Sequence, residues 1–332
     1  MSYFNSGSIK FSDVMSAMLP SKQLSPDLMA RRVERENAAG LTRGANPDFF
    51  TKIETTFGII KMLPLALRTL GLYHMARDEF LDFRIRRFDW HFPNLPSAFD
   101  KFSLLHLSDL HADLHPDFAG ALAKKLTEVD ADICVMTGDF QNNPDDPIDN
   151  AVAAMKVVLP SISAPVLGVP GNHDRLVLVD ALQNLGIRFL LNKTHTITRA
   201  DEELVFCGID DPHYFKTHDL QGVDGCGFRV LLSHSPETYQ EAAAGNFSFM
   251  LSGHTHAGQI RVPVWGPLVR RANVPRALVW GSWEHRKMMG YTTSGTGSTG
   301  CALRLFCPPE IIIHRLIKTN QPTALVNEVR TN

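Results

Sequence analysis

The sequence predicts a layered α/β fold, and two observations carry that prediction. From Lys101 onward five short apolar runs recur: "FSLLHLS" (102–108), "ADICVMT" (131–137), "APVLGVP" (164–170), "FRVLLS" (228–233) and "FSFMLS" (247–252). Runs of this length read as sheet strands buried on both faces. Helical candidates lie between them, and strands alternating with helices build sheets packed against helices.

Taken in chain order, residues 1 to 50 are polar with one helix, capped by Ser25, opened by Pro26 and stopped by Gly40. Arg31, Arg32 and Arg35 read as one solvated face of it. Residues 51 to 82 read as helical and contain "FGIIKMLPLALRTLGLY", Phe57 to Tyr73. Lys61, Arg68 and Pro64 interrupt that segment, so it suits a membrane surface better than a span. A Pro-rich connector, His91 to Phe99, puts the main boundary near 95–100. The expected division is 1–99, a helical extension; 100–318, the main domain; and 319–332, a polar tail. Within the main domain, Asp117 to Val129 places Phe118, Leu122, Leu126 and Val129 on one side of a helix. Ser235-Pro236 to Gly245 supplies a cap, a start and a stop. "WGSWEHRKMMGY", Trp280 to Tyr291, fits either an interfacial loop or buried aromatics of a second sheet.

Bulk composition excludes several classes. Hydrophobic residues make up 44% and charged residues 20%, ordinary for a globular chain. A net charge of −2 with no long basic stripe gives no general attraction to nucleic acid, so none is expected as a partner. The five cysteines are odd in number and lack CxxC spacing, which suits free thiols in a reducing, cytoplasmic compartment. Residues 52 to 87 hold seven Lys or Arg against four acids, including "RIRR" (Arg84 to Arg87). This local excess fits peripheral attachment to the inner membrane face, or equally a helical appendage packed on the main domain.

The residues directly after each apolar run carry the chemistry. In turn these are Asp109 and His111, then Gly138-Asp139, then Gly171-Asn172-His173-Asp174, then His234, and last "GHTH" with His254 and His256. The carboxyl edge of an α/β sheet is where ligands bind. Asp, Asn and His without thiolate suit Mn, Fe, Zn or Mg rather than a structural zinc. Asp109, His111, Asp139, Asn172, His234, His254 and His256 are too many for one ion. Two cations fit the supply, with a bridging hydroxide as nucleophile for phosphoester hydrolysis. His213 in "GIDDPHYF" fits either a substrate contact or a turn with a capping Asp. The remaining histidines, among them His106 and His314, read as surface or packing residues.

In this order the motifs resemble the calcineurin-like metallophosphoesterase superfamily over about residues 100 to 316. The resemblance implies a four-layer α/β/β/α sandwich of two mixed sheets. It also implies one metal on Asp109, His111 and His256, a second on Asn172, His234 and His254, and Asp139 bridging, with Mn the expected metal. His173 corresponds to the phosphate-contacting histidine, with Asp174 expected to orient it as the second catalytic residue. "FPNLPSAFDKFSLLHLSDLH", "LLSHSPE", "SGHTHAGQIRVP" and "GTGSTGCALRLFCPPEI" are similar to a bacterial branch of membrane-associated phosphodiesterases. Ala257 stands where that branch usually has glycine. The expected function is therefore hydrolysis of a phosphodiester or pyrophosphate in a lipid or lipid-linked substrate, such as a phospholipid or a UDP-diacylglucosamine-like molecule. The competing readings are a soluble nucleotide or cyclic-nucleotide phosphodiesterase and a non-catalytic scaffold, which would have lost ligands that this chain retains.

Overall fold

Each of the five apolar runs forms a strand, and their alternate side chains face two different cores. A computed structural model describes residues 23–37, 59–223, 225–267, 272–320 and 325–329. The expected Gly40 stop, the helical start before Ile59 and the last residues of the tail lie outside these. The extension supplies α1 (Pro26–Asn37), α2 (Ile59–Thr69) and α3 (Tyr73–Glu79). After them come β1 (Arg84–Phe92), β2 (Phe102–Leu107), α4 (Phe118–Leu126), β3 (Ile133–Thr137), α5 (Asp149–Val158), β4 (Val166–Val169), α6 (Leu176–Gln183) and β5 (Ile187–Phe189). The second half contributes β6 (Lys193–Arg199), β7 (Glu202–Gly208), β8 (Phe228–Leu232), α7 (Tyr239–Ala244), β9 (Phe249–Ser252), β10 (Arg261–Val262) and β11 (Gly266–Pro267). It closes with β12 (Gly281–His285), β13 (Met288–Thr292), β14 (Glu310–Lys318) and β15 (Leu325–Val329).

Two mixed sheets result. One runs β15-β1-β14-β2-β3-β4-β5 and the other β12-β13-β9-β8-β7-β6. Strands β2 to β5 are mutually parallel, as are β7, β8, β9 and β13. Leu104, Val135, Leu167, Leu204, Val230 and Leu251 meet in the core between the sheets. Their neighbours Leu105, Cys134 and Met136 turn outward onto α4, α5 and α6. On the far side Leu231 and Met250 pack with Ala242 of α7. This is the expected four-layer sandwich. Trp283 and Met288 lie buried in that outer cluster, on the β12–β13 hairpin, so the 280–291 segment belongs to the second sheet.

The chain ends depart from expectation. Arg84 to Phe92, assigned from sequence to the helical extension, is a strand paired with β14 and β15. Its Phe88, Trp90 and Phe92 alternate into the core between the sheets, and this period of two is hidden by the arginines between them. Arg86 is held by Glu310 at 2.6 Å and Glu328 at 2.8 Å, so "RIRR" is spent partly on internal ion pairs. Part of the expected polar tail, Leu325 to Val329, is the edge strand β15.

The solvated arginine face is likewise corrected. Arg32 of α1 is fully buried. It pairs with Glu36 at 3.0 Å and Asp210 at 3.3 Å, donates to the Asp174 carbonyl at 2.6 Å, and covers the Phe215 ring at 3.4 Å. Glu36 in turn accepts from Leu176 N, and Arg35 donates to the Tyr214 carbonyl. Helix α1 thus braces the loop after β4 against the loop after β7. Helices α2 and α3 pack through Leu67 and Ala76 onto Ile260, Leu303 and Leu305. Among the described residues no helix is long and apolar enough to cross a membrane.

A polar chain crosses the inner core. Trp90 Nε1 donates to His314 Nδ1 at 2.9 Å, His314 Nε2 lies 3.3 Å from His106 Nδ1, and His106 Nε2 lies 2.9 Å from Thr137 Oγ1. Indole is a donor only, so each imidazole accepts on Nδ1 and donates from Nε2. Burial lowers His106 to about 3, and burial together with His106 holds His314 well below the usual imidazole value.

Two outcomes are expected from these contacts. In the unfolded chain both imidazoles titrate near 6.5, so below that pH the unfolded state binds more protons. Stability is complete above pH 6.5 and declines as pH falls toward 3, with a slope approaching about 1.4 kcal/mol per pH unit for each histidine. Urea unfolding across that range reads it, and His106→Gln flattens the slope. Arg32→Ala strands Asp210 and Glu36 without their cation and lowers stability by about 3 kcal/mol, read from the denaturant midpoint.

Candidate metal centre

All seven expected donors meet where the carboxyl ends of strands from both sheets come together. Asp109 and His111 follow β2, Asp139 follows β3, Asn172 follows β4, His234 follows β8, and His254 and His256 follow β9. Two groups of ligand atoms form, each within 4.8 Å: Asp109, His111, Asp139 and His256, and Asp139, His234 and His254. Asp139 belongs to both. Its Oδ2 lies 3.6 Å from His111 Nε2 and 3.3 Å from His234 Nε2. Asn172 Oδ1 lies 3.0 Å from His234 Nε2 and 2.9 Å from His254 Nδ1. His256 Nε2 sits 3.3 Å from Asp109 Oδ1 and 3.2 Å from His111 Nε2.

Backbone geometry makes this convergence possible. Asp109, His111, Asp139, His254 and His256 all have positive φ, a region that non-glycine residues enter rarely. Gly138 joins them at φ +86 and makes the turn after β3. Gly171 and Gly253 serve closeness instead. A Cβ at Gly171 would lie 2.2 Å from Asp139 Oδ1, and one at Gly253 would lie 2.2 Å from Asp109 Oδ2. The late "GTGSTG" segment closes the other side, where Thr296 N and Gly297 N donate to the carbonyls of Ser108 and Asp109.

The donor set fits divalent cations. His111 Nδ1 lies 2.9 Å from the Gln141 carbonyl and His234 Nδ1 lies 2.7 Å from the Thr137 carbonyl. A carbonyl only accepts, so each ring carries its proton there and turns a bare Nε2 inward. Lone pairs on Asp109, Asp139, Asn172 and several imidazoles then face one another across about 3 Å, and only a proton or a cation can lie between them. With protons alone, the cluster polarises. Burial pulls His234 down, but Asp139 and Asp109 push it up to about 10. Burial raises the Asp139 carboxyl, yet His234 and His173 hold it well below the usual carboxylate range.

The two expected catalytic residues separate. His173 is half-buried at the rim, its ring 5.0 Å from that of His111, with Nδ1 2.6 Å from the Asn142 carbonyl. Asp174 does not orient it. The Asp174 carboxylate accepts from the amides of Asp139 (2.7 Å), Gly171 (2.8 Å), Phe140 (2.8 Å) and Gln141 (3.4 Å). It shapes the loops around Asp139, while the His173 ring bonds to the Asn142 carbonyl instead. Of the two readings open to His213, the turn with a capping Asp is the one observed. Asp211 caps its turn, accepting from Tyr214 and Phe215 amides, while the His213 ring lies 4.2 Å from His254 and pairs with Glu237 at 3.0 Å. Sequence reasoning does not find Glu237 and Asn142, since a lone Glu in "HSPE" and an Asn in "QNNP" carry no spacing signal.

A model of the calcineurin-like phosphoesterase superfamily domain matches residues 102–269. The chain is 29% identical over 243 residues to the uncharacterized metallophosphoesterase YkuE of Bacillus subtilis, covering 68% of this chain and 82% of that one. It is 29% identical over 227 residues to the phosphodiesterase YaeI of Escherichia coli, covering 65% and 82%. Among solved structures, the sulfate thiohydrolase SoxB of Thermus thermophilus aligns at 14% identity and a TM-score of 0.40, covering 67% of this chain and 57% of that one. With its domain model, its fold and its Asp/His cluster in agreement, the chain belongs to the calcineurin-like phosphoesterase superfamily and is a phosphoester hydrolase.

Proposed function

We propose that the chain hydrolyses a phosphodiester or pyrophosphate at a two-cation centre. Asp109, His111 and His256 would hold one cation, Asn172, His234 and His254 the other, and Asp139 both. The observation that carries this reading is the sharing of Asp139 between the two donor groups. When bound, two divalent cations such as manganese supply an activated water and neutralise charge on the phosphoryl oxygens. The chain's own residues do the rest. Asp174 holds the Asp139 loop through backbone amides. The Asn142 carbonyl takes the Nδ1 proton of His173, which leaves Nε2 directed to the substrate side, where it contacts the phosphoryl group or serves the leaving oxygen.

A lipid or lipid-linked substrate is the favoured class. Its support is α2, which packs Leu67 against Ile260 at the end of the "GHTHAGQI" segment and exposes Met62 and Leu65. The name of YaeI supports a diester over a monoester.

Asp139→Asn and His254→Ala are each expected to lower hydrolysis of bis(p-nitrophenyl) phosphate by at least a factor of about 10³ while circular dichroism stays unchanged. Metal analysis of the wild type is expected to find about two ions per chain. Full activity in either variant would sink the two-cation reading. His173→Ala is expected to keep the metal content and lose a factor of about 10² to 10⁴ in kcat. Loss of metal in that variant would reassign His173 as a ligand.

A further inference from the structure

After the metal cluster the chain leaves the second sheet through Ile260 and makes a small hairpin, β10–β11. Its turn places Val264 at φ +71, where an Asn or Gly would sit without strain. Val264 is fully exposed and Trp265 is 83% exposed, with Val262 and Phe306 beside them also open to solvent. The hairpin is held firmly. Trp265 N donates to the Val262 carbonyl at 3.1 Å, and Arg276 donates to the Trp265 carbonyl at 2.7 Å. A rigid turn that displays a branched apolar residue and an indole to water is costly unless something covers it.

The surrounding charge indicates the occupant. The described residues between Ala257 and Trp283 hold Arg261 and Arg276 and no acidic residue, and Glu79, a carboxylate bonded to the patch, is engaged by the amides of Phe306 and Cys307. Arg261 and Arg276 line the same surface as Val262, Val264 and Phe306, and exposed apolar side chains beside arginine, with a Trp at the tip, match the boundary of an anionic bilayer, where indole sits at headgroup level. A second copy is a poor occupant, since two such faces would set arginine against arginine. The patch also adjoins α2. Ile260 and Leu305, which flank the hairpin and Phe306 in sequence, pack with Leu67, so α2, which also exposes Met62 and Leu65, is seated next to the base of the hairpin.

We propose that the β10–β11 hairpin seats the protein on an anionic lipid surface, with Val264 and Trp265 entering the headgroup region. The proposal deepens the lipid-linked reading of the substrate and rests on it for its purpose, while binding and hydrolysis are measured separately. The full chain is sedimented with phosphatidylcholine vesicles and with vesicles that also contain phosphatidylglycerol. Binding is expected only with the anionic vesicles, to weaken with salt, and to shift tryptophan emission to the blue. The pair Val264→Asp and Trp265→Glu is expected to weaken binding by roughly tenfold or more. Trp265→Phe is expected to keep the binding and lose the emission shift, because Trp90 and Trp283 are buried and Trp280 half-buried. All variants are expected to retain hydrolysis of soluble bis(p-nitrophenyl) phosphate. Absence of wild-type binding to anionic vesicles overturns the proposal, as does equal binding by the double variant. So does a concentration-dependent dimer, seen by light scattering, that the double variant abolishes.

Discussion

One buried carboxylate ties the fold to the site. Asp174 takes amides from both the β3 loop and the β4 loop, groups that strand pairing leaves open at the carboxyl edge. Only an ionised carboxylate accepts on both oxygens; an asparagine in its place would point an NH₂ at an N–H. Burial and the Asp139 charge push Asp174 up to about 6, so its ionised form is held against an opposing field. The amides of Gly171 and Phe140 answer part of that penalty. Arg32 holds the same residue from outside, through its carbonyl. The Asp139 turn therefore depends on a helix far away in sequence, and α1 is structural rather than ornamental.

The site stores strain. Five of its donor residues occupy the left-handed region, at a steric cost of about 1–2 kcal/mol each. Single helical or extended geometry would spread their side chains apart, and left-handed turns fold them back toward one point. The neighbouring glycines divide this work. Gly138 provides an unusual φ, whereas Gly171 and Gly253 provide absence, since carboxylate oxygens occupy the space a Cβ would need. Cations at the converging lone pairs would offset the strain at these five positions.

Much of this is legible in the sequence. The five apolar runs announce β2, β3, β4, β8 and β9, because strands buried on both faces need no polar alternation. The donor residues are legible because each comes directly after such a run. Illegible are β1 and β15, where arginine and glutamate side chains pair across strands and imitate a solvated segment. Arg32 misleads for the same reason: spacing along a helix tells which residues share a face, not whether an acid from position 210 will meet it. In sequence Asp174 is paired most simply with its neighbour His173, while its true partners are backbone amides, which no side-chain pattern reveals.

The fold also sets which nitrogen of His234 is turned to Asp139. Thr137 shows how: its carbonyl takes the proton of His234 Nδ1, and its hydroxyl takes that of His106 Nε2. Trp90, as an obligate donor, starts the sequence of hydrogen bonds that reaches Thr137 through His314 and His106. A residue at the end of β3 therefore collects two imidazole protons, one from the inner core and one from the site. His106 is held neutral by burial, while His234 keeps Nδ1–H on the Thr137 carbonyl and turns Nε2 to Asp139. Packing thus fixes Nδ1 of His234 on the Thr137 carbonyl, so the inter-sheet core helps to orient the ring.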